Sequence, residues 1–342
     1  MPQEFILTAP RTIEYREYME PPLAPGELRI RSVVSGIKTG TEMNIYRGTT
    51  PFLNNRFDEE YRVFLPAEEN AVYPCTLDSW LVGEVIEIGR GVTGFTVGEL
   101  VHGQIPHRPT NVFPAADVFK VPKGINIDME VFVDPGIVAL LAAHDGEIKV
   151  GDRVAIFGMG AIGLLTVQIA KLNGAEQVIA VDMLENRLEL ARQFGADETV
   201  NPANSDPGLA IKNLTHRQGV DVAIEVTGSY SGLQQAIRSV QREGLVVAAG
   251  YYTQGPPLML GAEWHHNRVT MRSSMLMWGC LHRRHPLWDL RRIEQTVIRL
   301  LESGRLRTDP MITHRFSYDD AAAAYHLLDT QADQTLKVLL TY

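Results

Sequence analysis

The stretch RVAIFGMGAIG, residues 153–163, decides the fold of this sequence. An apolar run typical of a buried strand leads into a GxGxxG motif at Gly158, Gly160 and Gly163, and a helical pattern follows directly. The first glycine permits a tight turn, the second lets backbone N–H groups approach a pyrophosphate, and the third lets the helix lie close to the strand. The motif therefore predicts a strand, a phosphate-binding loop and a helix.

The residues after the motif indicate which dinucleotide binds. Ala161 and Ile162 begin the helix, whose N-terminus adds partial positive charge to an anion site. Asp182 ends the next strand, 19 positions after Gly163, where a carboxylate accepts hydrogen bonds from ribose hydroxyls and repels a 2′-phosphate. We therefore predict NAD(H) rather than NADP(H). Arg187 could instead neutralise a phosphate, or it could lie along the adenosine or on a solvated helix face.

Strand and helix patterns alternate around the motif, over residues 136–274. Apolar runs such as QVIAV and VAIEV are typical of parallel strands buried on both faces, and the helical stretches between them carry apolar stripes. This alternation predicts an α/β fold with a doubly wound parallel sheet.

Residues 1–135 have a different pattern, with short alternating strands separated by Gly and Pro. It predicts a small antiparallel, barrel-like domain. The polar segment from Thr49 to Tyr73 is too long for a plain connection, and we expect it to form a lobe or a lid. After residue 274 the pattern predicts two helices and a last strand, LKVLLTY.

Composition excludes several classes of protein. The 342 residues, 45% of them hydrophobic, suffice for two domains. A net charge of -9, without a block of basic residues, argues against nucleic acid as a partner. No apolar run is long enough to span a membrane and the N-terminus carries no leader pattern, so we expect a cytoplasmic protein without membrane contact. Cys75 and Cys280 belong to no CxxC motif, which excludes a cysteine-type structural zinc site.

Segments along almost the whole chain resemble the medium-chain dehydrogenase/reductase superfamily, in its zinc-type alcohol dehydrogenase-like branch. The similarity is carried by GEVIEIGRGVTGFTVGELV (83–101), IKVGDRVAIFGMGAIGLLTVQIAKLNGA (148–175), VDMLENRLELARQFGADETVNP (181–202), VDVAIEVTGS (220–229) and GRLRTDPMITHRFSYDDAAAAYHLLD (304–329). GIKTGTEMNIYRG (36–48) and HHNRVTMRSS (265–274) are similar to a subgroup with a Gly-Thr-Glu signature that includes bacteriochlorophyllide hydroxyethyl dehydrogenases.

The resemblance implies a GroES-like catalytic domain formed by residues 1–135 and 275–342, with a Rossmann domain at 136–274 between them in the chain. It also implies pairing of subunits through the strand VTMRSS, so we expect a homodimer or homotetramer. The strand ends that the resemblance places around the nicotinamide hold Val226, Thr227, Ala249, Gly250 and Tyr251.

The catalytic zinc of this superfamily lacks its usual ligands in this sequence. Zinc enzymes have Cys, His, and Cys, Asp or Glu at three positions, which Lys38, Ser79 and Asp134 occupy here. A protonated lysine amine cannot ligate zinc, and only Asp134 retains a ligand-type side chain. We therefore predict catalysis without a metal.

Hydride transfer at a carbonyl carbon requires stabilisation of negative charge on the oxygen. Lys38, held near Asp134, could supply this stabilisation and exchange the proton; alternatively the two form an ordinary ion pair, or Lys38 points to solvent. Thr41 could replace the relay hydroxyl that such enzymes carry at the position of Gly40. Glu42 is a second acid–base candidate, although a glutamate there often caps the following turn.

These features predict a zinc-independent, NAD(H)-dependent dehydrogenase that acts on a secondary alcohol or its ketone. The polar lobe favours a bulky polar or sugar-like small molecule as substrate. One alternative is a zinc-free enoyl or quinone reductase, against which Asp182 argues, and another is a non-catalytic NAD(H)-binding redox sensor. His102 and His107 either face the site or are exposed or hydrogen-bonded loop residues.

Overall fold

The computed structural model describes residues 2–67, 72–253, 255–275 and 287–342. Cys280 lies outside these ranges. The chain forms two compact units. The first unit consists of Met1–Asp134 and Met311–Tyr342, and the second consists of Pro135–Pro310.

Within the described residues, the second unit contains six parallel strands and the helices that connect them. The strands are β10 (Arg153–Phe157), β11 (Gln177–Val181), β12 (Glu198–Val200), β13 (Val220–Glu225), β14 (Val240–Ala248) and β15 (Thr270–Ser273). The helices are α2 (Val133–Asp145, whose first two residues belong to the first unit), α3 (Ala161–Leu172), α4 (Glu185–Gln193), α5 (Pro207–Leu214), α6 (Tyr230–Ser239), α7 (Glu263–His266) and α8 (Leu290–Glu302).

The strand order β12-β11-β10-β13-β14-β15 is that of a doubly wound dinucleotide-binding sheet. The chain changes its winding direction between β10 and β13, and ligands of such sheets bind beyond the carboxyl ends of the strands at this point. Val154, Ala155 and Ile156 of β10 have no exposed surface, because both faces of the sheet are covered. The predicted α/β fold class is confirmed.

The predicted boundary after residue 274 falls inside the second unit, which continues to Pro310. The reason is the packing of α8 against α2: a Cβ at Gly136 would lie 2.5 Å from a methyl carbon of Val297. Ile293 and Leu301 on the same helix are also buried, so α8 belongs to this core.

The first unit is mainly antiparallel, as predicted. Its strands are β1 (Gln3–Ala9), β2 (Thr12–Glu17), β3 (Glu27–Gly36), β4 (Asn55–Asp58), β5 (Val63–Pro66), β6 (Asp78–Ile88), β7 (Leu100–Pro106), β8 (Thr110–Pro114), β9 (Phe119–Lys120), β16 (Ile312–Ser317) and β17 (Lys337–Thr341). Its helices are α1 (Thr41–Arg47) and α9 (Ala321–Thr330).

A sheet in the order β16-β17-β3-β6-β7-β9 forms the centre of this unit, with β8 paired to β3. The last strand of the chain, β17, lies antiparallel to β3, with Leu339 opposite Gly36. This pairing brings the C-terminal segment next to the turn that follows β3, where Lys38 and Glu42 lie.

The polar segment expected to be a lobe or lid contains the hairpin of β4 and β5. Three aromatic rings contact one another in this segment: the ring centres of Phe52 and Phe57 each lie 5.2 Å from that of Phe64, which is 43% exposed. Residues 68–71 of the segment lie outside the described residues, and its role as a lid stays a prediction. In the described parts of the chain, no helix has the length and apolar character needed to cross a membrane.

Candidate active site

The loop between β10 and α3 has the geometry that its glycines predict. Gly158 has φ +99°, a conformation that strains residues with a Cβ. A Cβ at Gly163 would lie 1.7 Å from the carbonyl oxygen of Gly158, so a side chain there would push the helix off the strand. At Gly160, no atom of the described residues lies within 4 Å of the Cβ position. The loop thus leaves open space at the N-terminus of α3, where Ala161 and Ile162 form the first turn, and it fits a pyrophosphate.

Asp182 lies directly beside this loop. Its Oδ2 accepts a hydrogen bond from the backbone N–H of Met159 at 2.7 Å, and its Oδ1 accepts one from Leu184 at 2.9 Å. Each carboxylate oxygen retains acceptor capacity, so a ribose can still bind. Arg187 lies with Nη1 4.0 Å from Oδ2 of Asp182, and its charge offsets part of the negative charge that would repel a 2′-phosphate.

Glu225 connects two strand ends at the carboxyl edge of the sheet. Its carbonyl oxygen accepts hydrogen bonds from the N–H groups of Ala249 and Gly250 at 2.9 and 3.0 Å. Its carboxylate accepts hydrogen bonds from Thr227 N–H at 2.8 Å and from the hydroxyls of Thr227 and Tyr252. Burial raises the pKa of Glu225, although these hydrogen bonds act in the opposite direction. The sequence signal, an acidic residue within the apolar run VAIEV, was not used in the prediction.

The five residues predicted to line the nicotinamide lie at these two strand ends. Val226 donates its N–H to the carbonyl oxygen of Phe157 at 3.0 Å, and its side chain lies 3.4 Å from the Cβ position of Gly163. The backbone of Tyr251 lies against Gly228, and the Tyr251 side chain is partly exposed. The structure therefore brings these residues to the edge that carries the glycine loop.

Lys38 and Asp134 form an ion pair in the first unit. Lys38 Nζ lies 3.1 Å from Asp134 Oδ1, and the two side chains are 14% and 25% exposed. Burial alone would lower the pKa of Lys38, but the carboxylates of Asp134 and Glu42 outweigh it and raise the pKa above its ordinary value. Lys38 is therefore protonated at neutral pH, and its ammonium is paired with Asp134 and does not point into solvent.

Glu42 is buried, and both of its carboxylate oxygens are engaged. Oε1 accepts a hydrogen bond from the N–H of Lys38 at 2.8 Å, and Oε2 accepts one from the hydroxyl of Tyr325. Burial would raise the pKa of Glu42, but His107, Tyr325 and the Lys38 N–H together lower it. Glu42 thus caps the turn before α1 and not the turn after it, and this geometry favours a capping role over acid–base exchange. Thr41 is exposed in the first turn of α1.

His107 and His102 are both buried and hydrogen-bonded, so neither is an exposed loop residue; His102 lies within β7, and His107 lies beside Glu42. His107 Nδ1 lies 2.7 Å from Ser35 Oγ, and its Nε2 lies 3.3 Å from Glu42 Oε2 without good hydrogen-bond geometry. His102 Nδ1 accepts a hydrogen bond from Trp80 Nε1 at 2.9 Å. Burial lowers the pKa of His102 to about 3, so this ring is neutral at physiological pH.

The residues at the zinc-ligand positions of the superfamily do not fit a zinc ion. The Ser79 hydroxyl donates a hydrogen bond to the carbonyl oxygen of Gly36, and the ammonium of Lys38 would repel a cation. Among the residues that the structure describes, no three His, Cys, Asp or Glu side chains are grouped to hold a metal ion. At two of these positions Lys38 and Asp134 bring an ammonium and a carboxylate together.

Known proteins are similar to this chain in sequence and in fold. Residues 161–290 match the family of zinc-binding dehydrogenases. The chain is 32% identical to D-guloside 3-dehydrogenase of Escherichia coli K12, over 99% of this chain and 100% of that one. The structure of 2R,3R-butanediol dehydrogenase from Bacillus subtilis matches with TM-score 0.79 and 23% identity, over 100% of both chains. A short chain alcohol dehydrogenase from Escherichia coli CFT073, complexed with NADH, matches with TM-score 0.78 and 21% identity, over 100% of this chain and 98% of that one.

The full-length similarity to a curated dehydrogenase accounts for both units of the chain, and the solved structures share its fold. The strand order and the glycine loop of the second unit independently indicate a dinucleotide-binding fold. The chain belongs to the family of zinc-binding dehydrogenases, of the medium-chain, alcohol dehydrogenase-like type, and it is an oxidoreductase.

Proposed function

We propose that the protein is a zinc-independent, NAD(H)-dependent dehydrogenase that interconverts a secondary alcohol and a ketone on a sugar-like substrate. The observation that carries the proposal is the ion pair of Lys38 and Asp134, at positions where zinc enzymes of the superfamily carry metal ligands. Similarity to the subgroup of bacteriochlorophyllide hydroxyethyl dehydrogenases stays a prediction.

Lys38 supplies the positive charge that stabilises the substrate oxygen in the reaction. A nicotinamide, when bound, would supply the hydride acceptor for alcohol oxidation and the hydride donor for ketone reduction. In ketone reduction the ammonium of Lys38 donates a hydrogen bond to the substrate oxygen, stabilises its negative charge and gives it a proton, which solvent then replaces on the amine. Alcohol oxidation is the reverse: Lys38 first loses a proton to solvent, and the neutral amine accepts the alcohol proton as the hydride leaves. One preorganised donor of this kind contributes about 3–4 kcal/mol to transition-state stabilisation. Asp134 keeps the amine charged and fixes its position.

The preference for NAD(H) rests on Asp182. Its carboxylate lies beside the glycine loop, where it can accept hydrogen bonds from the adenosine ribose and repel a 2′-phosphate. The guanidinium of Arg187 lessens this repulsion, so we expect discrimination against NADPH to be moderate rather than absolute.

The sugar-like substrate is supported by the full-length relative, which is named for oxidation at position 3 of a D-guloside. A glycoside carries several secondary hydroxyls, any of which suits hydride transfer. No observation on the described residues favours the enoyl or quinone reductase or the redox sensor over this reaction.

A homodimer through β15 is part of the proposal. In the described part of the chain β15 forms an edge of the parallel sheet, and Met271 in its middle is 40% exposed. An exposed edge strand is a template for pairing with a second copy. Sedimentation at twice the monomer mass supports this assembly, and sedimentation as a monomer refutes it.

The function is tested with a panel of methyl glycosides, including D-gulosides, and polyols as substrates for NAD⁺ reduction. Fluorescence titration with NADH and NADPH tests the cofactor on the same protein. We expect Lys38→Met to lower kcat by roughly 100- to 1,000-fold and to leave the NADH dissociation constant unchanged. Lys120→Met is the matched control, because Lys120 forms an exposed ion pair with Glu99 at 2.9 Å. Wild-type turnover in Lys38→Met would overturn the proposed role of Lys38.

A further inference from the structure

A second lysine lies in the same corner of the first unit as the ion pair. Lys337 begins β17 and is only 4% exposed. Its side chain passes over Gly36, where a Cβ would lie 2.5 Å from Cε and 2.7 Å from Nζ. Its Nζ donates a hydrogen bond at 3.2 Å to the carbonyl oxygen of Ile37, the residue before Lys38. The same Nζ lies 6.0 Å from the ring centre of Phe132, close in sequence to Asp134.

The surroundings of Lys337 do not hold its positive charge as firmly as those of Lys38. An ammonium has three hydrogen-bond donors, and the hydrogen bonds of the described residues give this one a single protein acceptor. Burial lowers the pKa of Lys337 to about 8, while the carboxylates of Asp134 and Glu42 act to raise it and Lys38 acts to lower it. Lys38, in contact with Asp134, has its pKa shifted in the opposite direction.

The two lysines therefore have different electrostatic roles. With both protonated, two ammonium groups face the carboxylates of Asp134 and Glu42, and the four charges sum to zero. When Lys337 loses its proton to solvent, the same group of residues carries a net charge of -1. Lys38 then stands in a more negative potential, although its own contact with Asp134 is unchanged.

We propose that Lys337 is the titrating group of this site, and that the charge it gains or loses sets the potential in which Lys38 works. Lys337 is a positioning residue, because it acts through Lys38 and not on the substrate. Its catalytic consequence rests on the proposed function: ketone reduction, which builds negative charge on the substrate oxygen, slows when Lys337 becomes neutral.

The titration itself is tested by unfolding, without any substrate. The pKa of Lys337 is about 8 in the folded protein against an ordinary value of 10.5, so the unfolded chain binds more protons between these values. The penalty for burying this lysine is present below pH 8 and disappears as the pH approaches 10.5. We therefore expect Lys337→Met to have a higher urea midpoint than wild type at pH 7, and the gap to close by pH 10.5.

Two further variants keep this test decisive. Lys337→Arg keeps its positive charge over this whole pH range, so its urea midpoint should not show the increase with pH that is expected for wild type. Asp134→Asn removes one of the charges that raise the pKa of Lys337, and should move the wild-type transition to lower pH. The control Lys120→Met should follow wild type. The proposal is overturned if the urea midpoints of wild type and Lys337→Met differ by the same amount at every pH. It is also overturned if Asp134→Asn leaves the pH at which the wild-type midpoint rises unchanged.

The catalytic consequence is tested by kcat/KM for ketone reduction with NADH across the same pH range. Wild type should lose at least threefold between pH 7 and 9, Lys337→Met should be slow and independent of pH there, and Lys337→Arg should stay active to higher pH. If Lys337 were only structural, its replacement would lower kcat/KM by the same factor at every pH and leave the pH profile unchanged. That result overturns the proposal. If the protein fails to bind NADH, the proposed function falls and the unfolding experiment alone decides whether Lys337 titrates.

Discussion

Replacement of Gly160 by alanine should separate cofactor binding from folding. No described atom lies within 4 Å of the Cβ that this change adds, and the backbone of Gly160, with φ -75° and ψ -171°, suits alanine. We expect the free energy of unfolding to change by less than about 1 kcal/mol, in either direction. The new methyl group would nevertheless stand where the pyrophosphate must approach the loop.

The magnitude follows from the hydrogen bonds that the methyl group displaces. Backbone N–H groups at the start of α3 would donate to a bound pyrophosphate, and such a charge-assisted bond contributes about 1.5–3 kcal/mol. Loss of one such bond raises the dissociation constant for NADH roughly 10- to 150-fold. Gly163→Ala is the contrasting variant: its Cβ would lie 1.7 Å from a carbonyl oxygen, so it should destabilise the free protein by about 2 kcal/mol or more.

Fluorescence titration with NADH and urea unfolding, on both variants and wild type, measure the two effects. Gly160→Ala should weaken NADH binding and keep the wild-type urea midpoint, whereas Gly163→Ala should shift the midpoint. Wild-type NADH affinity in Gly160→Ala would refute the assignment of this loop to a pyrophosphate.

Three further changes probe the rest of the site. Asp182→Ser should bring the NADPH dissociation constant to within about threefold of that for NADH, because the repelling charge is gone and Arg187 remains; an unchanged preference would contradict this. Glu225→Gln should weaken NADH binding, since the amide N–H₂ replaces one carboxylate oxygen and cannot accept the bonds either from Thr227 at Oε1 or from Tyr252 at Oε2; unchanged affinity would remove Glu225 from the site. Asp134→Asn should move the alkaline loss of activity to lower pH, because it removes a charge that raises the pKa of both Lys38 and Lys337; an unshifted pH profile would argue against Asp134 as the residue that keeps these amines charged.

The glycine loop and most strands of the second unit could be predicted from the sequence, because their signals are local; the short strand β12 and helix α5 were not predicted. Strand, glycine loop and helix follow one another within residues 153–172, and the order of the patterns limits the topology. The boundary near residue 274 was placed too early, since the contact of Val297 with Gly136 joins positions far apart in the chain.

The candidate site in the first unit could be predicted only in part. The proximity of Lys38 and Asp134 followed from the resemblance, and their ion pair is present. The role of Glu42 depends on Tyr325, which is 283 residues away in the sequence. Lys337 is equally remote, and only the pairing of β17 with β3 brings it over Gly36. A lysine at the start of an apolar last strand was the available signal, but the residues alone do not show what it approaches.

The central claim is that a lysine ammonium, and not a zinc ion, stabilises the substrate oxygen. It is tested most directly by turnover of the protein after exhaustive dialysis against a chelator, with zinc measured on the same sample. The account predicts full NAD⁺ reduction with far less than one zinc per subunit, together with inactivity of Lys38→Met under the same conditions. Activity that disappears with the metal and returns on addition of zinc would contradict it.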